Sequence, residues 1–135
     1  MKLRFVDPNS LDKNLKATIH RSGKLGFTVE AAKKLKLADS KSAGIAFNED
    51  DALDINLYME IKADFDENYF KINKAGEYYF LNTKAFFDSI NLDYINDTVV
   101  YDILPIKVDG KEYFRFKRRP SKKTKRPSQP MSERS

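Results

Sequence analysis

The chain carries the segment Ile19-His20-Arg21-Ser22-Gly23-Lys24-Leu25-Gly26-Phe27, in which apolar residues flank a turn that holds a glycine and basic side chains. A helical pattern follows this segment and ends in Leu35-Lys36-Leu37. The same order returns as Ile72-Asn73-Lys74-Ala75-Gly76-Glu77-Tyr78-Tyr79-Phe80, then a second helical pattern that ends in Ile90-Asn91-Leu92. Two more strands follow each copy, so this self-similarity indicates an internal repeat. The predicted order of elements is β-β-α-β-β, twice.

Strands are predicted where apolar and polar residues alternate, because successive side chains of a strand point to opposite faces. The alternation is strongest over residues 55–63 and recurs over residues 15–20 and 43–47. Near the end of the folded part, Asp109-Gly110 separates two apolar runs. This dipeptide favours a tight turn and predicts a β-hairpin.

Two short helices are predicted between the strands. Thr28 can cap a helix over residues 29–37, and Asn82 or Thr83 can cap a second helix over residues 84–90. Threonine and asparagine favour this position because their side-chain oxygens accept a hydrogen bond from the first helical turn.

The predicted fold class is α+β and β-rich. Neither β-β-α-β-β repeat can bury its apolar face alone, so the two repeats are expected to pack as a single pseudo-symmetric barrel-like domain. We place this domain at residues 1–116, with repeat one at about 13–65 and repeat two at about 66–116. Residues 117–135 are basic, proline-rich and almost free of apolar side chains, which predicts a disordered C-terminal tail.

The net charge of +5 is unevenly distributed along the chain. Residues 13–41 carry eight basic and two acidic side chains, whereas residues 42–116 carry seven basic and fifteen acidic ones. Residues 117–135 carry eight basic side chains and one acidic one. The positive charge therefore belongs to the first repeat and the tail, and these segments are the candidates for contact with a polyanion.

Several function classes are disfavoured by composition. The chain has no cysteine, which excludes disulfides, thiolate metal sites and a cysteine nucleophile. It has one histidine, His20, with no nucleophile partner and no phosphate-binding loop motif, so we expect neither an enzyme nor a cofactor or metal. The N-terminus lacks the apolar stretch of a signal peptide, and no apolar run approaches the roughly 20 residues of a membrane span. An intracellular, cytoplasmic protein is expected.

A strand, a turn with glycine and a basic residue, a second strand and a short helix resemble the AbrB/SpoVT and MraZ family of swapped-hairpin DNA-binding proteins. In that family two units intertwine into one barrel, and MraZ-type members carry both units in one chain. The resemblance implies that Lys24, Arg21 and His20, around the glycine of the first unit, contact DNA. Glu77 stands at the position of the second unit that matches Lys24, so the second loop is not expected to contact phosphate in the same way.

Basic side chains of the first repeat and of the tail are the predicted nucleic-acid contacts, because cations that neutralise phosphates bind with salt-sensitive affinity. They are Lys16, His20, Arg21, Lys24, Lys33, Lys34, Lys117, Arg118, Arg119, Lys122, Lys123, Lys125 and Arg126. Other interpretations stay open. The first repeat can present a merely solvated face or one that pairs with the acidic repeat, and the tail can be a solubility segment or fold back over the acidic body.

Two further clusters have a structural interpretation that we favour. The aromatic residues Tyr69, Phe70, Tyr78, Tyr79 and Phe80 could stack on the bases of a single strand. Alternation instead favours core or interface packing, with Tyr78 and Phe80 on the buried face and Tyr79 on the other. Acidic clusters at residues 49–54 and 64–67 lack the ligand spacing of a calcium loop and are expected to be turns.

The predicted function is a non-enzymatic nucleic-acid-binding protein, transcription-regulator-like or a packaging accessory, with DNA favoured over RNA. The hairpin of the first repeat would contact phosphates, and the tail would add non-specific affinity. The alternative is a structural or protein-interaction subunit, such as a virion or assembly component, in which charge-complementary repeats join copies into a homo-oligomer or a larger assembly. Neither a membrane nor a small-molecule substrate is expected as a partner.

Overall fold

Nine strands, two α-helices and one 3₁₀-helix occur within residues 1–5 and 15–120, the part of the chain that the computed structural model describes. The strands are β1 (Lys16–Ile19), β2 (Leu25–Phe27), β3 (Ser42–Ala46), β4 (Leu57–Lys62), β5 (Phe70–Lys71), β6 (Asn73–Ala75), β7 (Tyr78–Leu81), β8 (Val99–Val108) and β9 (Lys111–Arg118). The helices are α1 (Val29–Lys34) and α2 (Lys84–Ser89), with the 3₁₀-helix η1 (Leu37–Asp39) after α1.

All nine strands belong to one antiparallel sheet with the order β5-β3-β4-β9-β8-β1-β2-β7-β6. Its two outermost strands, β5 and β6, belong to one chain segment and are separated only by Ile72. The N–H of Ile72 donates a hydrogen bond to the carbonyl oxygen of Lys41, at 3.0 Å, which continues the pairing of β5 with β3. The sheet therefore nearly closes into a barrel, and the predicted β-rich, barrel-like fold is confirmed.

The core fills the inside of this barrel. Its largest fully buried side chains include Tyr101, Phe87, Phe116, Ile19 and Leu25. Phe116 packs edge-to-face on Phe27, with ring centroids 6.1 Å apart and planes at 89°. Burying an aromatic or aliphatic side chain of this size contributes about 1.5–3 kcal/mol. Strands from both halves of the chain and helix α2 supply these residues, so the two halves share one core.

Helix α1 begins where the sequence predicts and ends earlier. The hydroxyl oxygen of Thr28 accepts a hydrogen bond from the N–H of Ala31, at 3.2 Å, which confirms Thr28 as the cap. Lys36 takes a left-handed conformation, φ 56°, so the helix stops at Lys34 instead of reaching residue 37. Both α-helices have six residues, and within residues 1–5 and 15–120 no helix has the length and apolar character needed to cross a membrane.

The hairpin at the end of the fold is confirmed. Asp109 and Gly110 have positive φ values of 53° and 80°, and they join the long strands β8 and β9. Strand β9 continues to Arg118, two residues beyond the domain boundary predicted at Phe116. It continues because Arg118 still pairs with Tyr101 of β8. Lys117 and Arg118, which the sequence assigns to the tail, therefore belong to the sheet.

Candidate nucleic-acid interface

The first strand of the barrel presents its polar residues outward. Ala17 and Ile19 of β1 are buried in the core, so the alternating side chains of Lys16 and Thr18 point to the outer surface. The pairing of β1 with β2 aligns Thr18 with Gly26, which places Gly26 on the same outer surface. The sequence pattern of this strand is thus realised with its basic residue outside.

The turn between β1 and β2 is closed by backbone hydrogen bonds. The N–H of His20 donates to the carbonyl oxygen of Lys24, and the N–H of Gly23 donates to that of His20, both at 2.8 Å. His20 and Lys24 continue the outward positions of β1 and β2, and both side chains are exposed. The turn therefore holds an imidazole and an ammonium group side by side at the end of the barrel.

The second half of the chain supports this turn from outside the hairpin. The hydroxyl of Thr83, which is buried, donates a 2.8 Å hydrogen bond to the carbonyl oxygen of Gly23. Gly23 has a φ of 88°, and a Cβ at this position would lie 2.8 Å from the Cα of Lys84. A side chain does not fit in this space, so the close approach of the two segments requires glycine.

Aromatic residues of β7 complete the outer surface beside β2. Phe80 pairs with Gly26, and Tyr79 and Leu81 point inward, with Leu81 fully buried. The prediction that Tyr78 and Phe80 face the core and Tyr79 faces outward is therefore wrong. The pairing of Leu81 with buried Leu25 sets the alternation of β7, and three consecutive aromatic residues offered no polar contrast from which to read it.

Tyr78 bridges the two hairpins. Its hydroxyl lies over Gly26, where a Cβ would overlap it, and it contacts the Nε2 atom of His20. Partial burial raises the pKa of Tyr78 above its usual value. We call the outer side of β1, β2 and β7 the hairpin face, with the side chains of Lys16, His20, Lys24, Tyr78 and Phe80.

Two more predicted contacts lie on the adjoining outer surface of β8 and β9. Asp102 of β8 pairs in register with both Lys16 and Lys117, so the three side chains share the outer surface. The guanidinium of Arg119 holds the carboxylate of Asp102 through two hydrogen bonds of 3.0 and 2.9 Å. Asp102 is thus surrounded by three cations, which offset its charge.

The remaining predicted residues lie elsewhere. Lys33 and Lys34 are exposed in the last turn of α1, not on the sheet. Arg118 alternates with Lys117 and points to the other side of β9, and Arg21 is half-buried in the turn. Lys122, Lys123, Lys125 and Arg126 lie outside the described residues. The structure therefore gathers five predicted residues, which are Lys16, His20, Lys24, Lys117 and Arg119.

The acidic loops use their carboxylates within the chain. The N–H of Leu53 donates to Asp51 and that of Asn56 donates to Asp54, at 3.0 and 2.9 Å. The hydroxyl of Tyr58 also donates to Asp54, and these hydrogen bonds lower the pKa of that carboxyl. Within the described ranges, no group of three or more histidine or acidic side chains is arranged to hold a metal ion.

A separate cavity of about 270 Å³ opens on the other half of the barrel, among Gly44, Tyr58, Glu60, Tyr69 and Tyr113. The carboxylate of Glu60 accepts a hydrogen bond from the hydroxyl of Tyr69 and binds the ammonium of Lys111, each at 2.6 Å. Both interactions, Lys111 first, lower the pKa of Glu60. Glu60 and Lys111 therefore offset one another's charge at this cavity.

The fold and the site together describe a small barrel with a basic and aromatic outer face. No protein-family model, curated protein or solved structure matches the chain. The candidate interface is therefore defined by the geometry of its own residues.

Proposed function

We propose that the protein binds nucleic acid without catalysing a reaction, and that the hairpin face contacts the phosphate backbone. One observation carries this proposal: the pairing of β1 with β2 and β8 brings Lys16, His20 and Lys24 to the outer surface next to Lys117 and Arg119. These residues come from both ends of the chain and converge only in the folded barrel.

The turn is suited to this role because it is held in place before binding. Thr83 bonds the carbonyl of Gly23, and Lys84 packs on Gly23 from the outside. A preorganised site loses less conformational entropy when a ligand binds than a mobile loop does. The basic segment after Pro120 would add non-specific affinity, which supports fast association with a polyanion.

The finer symmetry of the fold is part of the proposal. We infer that the halves are two β-β-α-β-β units, because exchanging corresponding strands of the two halves turns each of the runs β3-β4-β9-β8 and β1-β2-β7-β6 into its own reverse and so keeps the same strand pairs. The exchange matches β1 to β6, β2 to β7, β3 to β8 and β4 to β9. This arrangement supports the likeness to swapped-hairpin DNA-binding proteins, in which two units form one barrel.

A charge reversal tests the proposed function. The double variant Lys16→Glu/Lys24→Glu should lower the affinity of the full chain for nucleic acid and reduce the salt dependence of binding. Each lost phosphate contact should lower the slope of log K against log salt by about 0.7–0.9. Lys71→Glu/Lys107→Glu is the matched control, because these two lysines are exposed on other strands.

The outcomes separate this role from assembly. Equal affinity of both double variants at low salt would remove the hairpin face from the function. If the unmodified protein binds no nucleic acid and self-associates in a salt-sensitive way during sedimentation, the alternative role of an assembly subunit gains support.

A further inference from the structure

We propose that the hairpin face takes single-stranded nucleic acid in preference to a duplex, with a base against the exposed ring of Tyr78, which Phe80 supports from its other side. This inference rests on the proposed function and adds the strandedness of the ligand. Phosphates would lie toward Lys16 and Lys24, on the strands beside the rings.

The two rings form a short apolar strip along β7. Their centroids are 5.8 Å apart and their planes differ by 20°, so the two rings stack on one another. Tyr78 is 36% exposed, and Phe80 is half-buried. Exposed rings of this kind stack on unpaired bases of any sequence, because every base has a π-face.

Gly26 makes room for this arrangement. It pairs with Phe80 at the centre of the face, and a Cβ there would overlap the Tyr78 hydroxyl and lie 2.6 Å from the Nε2 atom of His20. The hydroxyl of Tyr78 crosses above Gly26 to reach His20, which fixes the orientation of the ring. The ring is therefore positioned before a ligand arrives, and stacking on it would require little further ordering.

Positive charge lies directly beside the rings. The ammonium of Lys24 lies over the face of Phe80, 4.6 Å from the ring centroid. Lys16 lies on β1, two strand spacings or about 10 Å from β7. A nucleic-acid strand that crosses this face can place its bases toward the rings and its phosphates toward the lysines. A patch of cations alone would not fix this orientation.

A duplex does not use this combination of groups. Its bases are already stacked on one another, and they show only their edges in the grooves. The lysines would still contact its phosphates, but the rings would contribute little. The aromatic strip therefore favours the single strand, whereas the cations alone favour neither form.

The test compares a single strand of thymidines of about 15 nucleotides, a length within the range that one small barrel covers, with a duplex of equal length. Binding to the full chain is followed by fluorescence anisotropy over a salt series. Tyr78→Ala should weaken single-strand binding about five- to a hundredfold and leave duplex binding unchanged. Tyr78→Phe should keep most of the single-strand affinity, because it keeps the ring and loses only the contact that orients it on His20.

Two more variants guard against an effect on folding. Tyr113→Ala is the matched control, since Tyr113 lies on β9 with Lys111 5.5 Å from its ring centroid. Phe80→Leu keeps an apolar side chain and tests the strip if Tyr78→Ala lowers the melting temperature strongly. Loss of single-strand binding in Phe80→Leu, with Tyr113→Ala unaffected, would support the inference.

Failure of this inference differs from failure of the proposed function. Equal binding of single strand and duplex that does not change in Tyr78→Ala and Phe80→Leu would overturn the stacking role and leave phosphate binding intact. Absence of binding to either form at low salt would overturn both. Loss of self-association in Tyr78→Ala, without a change in nucleic-acid binding, would assign the rings to a contact between copies and overturn the inference.

Discussion

The hydroxyl of Thr83 donates a 2.8 Å hydrogen bond to the carbonyl oxygen of Gly23, and this bond joins the start of α2 to the turn between β1 and β2. Thr83 precedes α2, yet its side chain makes no capping bond to that helix. It serves instead as a buried donor to the turn that carries His20 and Lys24. The geometry of the proposed binding site thus depends on a residue from the other half of the chain.

Removing this donor should loosen the turn. Thr83→Val keeps the side-chain volume but leaves the Gly23 carbonyl without its partner, which should lower the free energy of unfolding by about 1–3 kcal/mol. It should also speed hydrogen exchange at the N–H of Gly23, which bonds to His20 across the turn. Thr83→Ser keeps the donor, and equal exchange rates in the two variants would contradict this role.

Two glycines with similar φ values should respond differently to alanine. Gly23 has φ 88° and a Cβ there would crowd Lys84, whereas Gly110 has φ 80° and open space around it. Gly110→Ala should therefore show only the backbone strain of a left-handed residue, about 1–2 kcal/mol. Gly23→Ala should lower the denaturation midpoint much further, because the backbone of α2 must also move. Equal decreases in the denaturation midpoint of the two variants would show that Lys84 moves aside at little cost in free energy.

Stability should fall at alkaline pH because of Tyr101. Burial raises the pKa of this phenol to about 12, while the unfolded chain titrates near its usual value of 10.0. The folded state therefore holds its proton more tightly, and stability present below pH 10 is lost as pH rises toward 12. A shift of this size corresponds to about 2–3 kcal/mol.

Tyr101→Phe isolates that contribution from the other tyrosines. The free energy of unfolding, measured by denaturant titration at several pH values, should decline less steeply between pH 10 and 12 in the variant. Parallel curves for the variant and the unmodified protein would assign the alkaline loss to other groups. Tyr58, Tyr69 and Tyr94, whose pKa values are also raised, titrate in the same direction.

Neutralising Asp102 should strengthen nucleic-acid binding. Asp102→Asn removes the one carboxylate that lies between Lys16 and Lys117 in register, and it frees the guanidinium of Arg119. The affinity for nucleic acid at low salt should rise. The slope of log K against log salt should steepen by about 0.7–0.9, the amount expected for one more phosphate contact. Thermal stability should change little, because exposed ion pairs contribute about 0–1 kcal/mol. Unchanged affinity would show that the guanidinium of Arg119 does not contact the nucleic acid.

The sequence predicted those helices, strands and turns that depend on residues only a few positions apart. Thr28 caps α1 because its oxygen meets the N–H of Ala31, and Asp109-Gly110 forms the turn because both residues adopt positive φ. The alternation of β1 can be recognised in the sequence because Lys16 and Thr18 are polar, whereas Ala17 and Ile19 are apolar. These features depend on the sequence neighbours alone.

Tertiary contacts determined what the sequence did not reveal. The orientation of Tyr78 and Phe80 depends on the pairing of β7 with β2, and three adjacent aromatic residues carry no sign of it. The ion pair between Asp102 and Arg119 joins residues on separate strands. The one local hint was Gly26, a glycine within a strand, which marks a place where another group approaches closely.

The strand order also sets when the protein can fold. Strand β1 pairs with β8, and β4 pairs with β9, so each half leaves open edges that only the other half covers. During synthesis the first four strands leave the ribosome long before β8 and β9 exist, and unpaired edges invite aggregation. Closure must wait until Arg118 has emerged, and such distant pairing slows folding. Truncation before β9 would therefore yield an aggregating chain instead of a smaller domain.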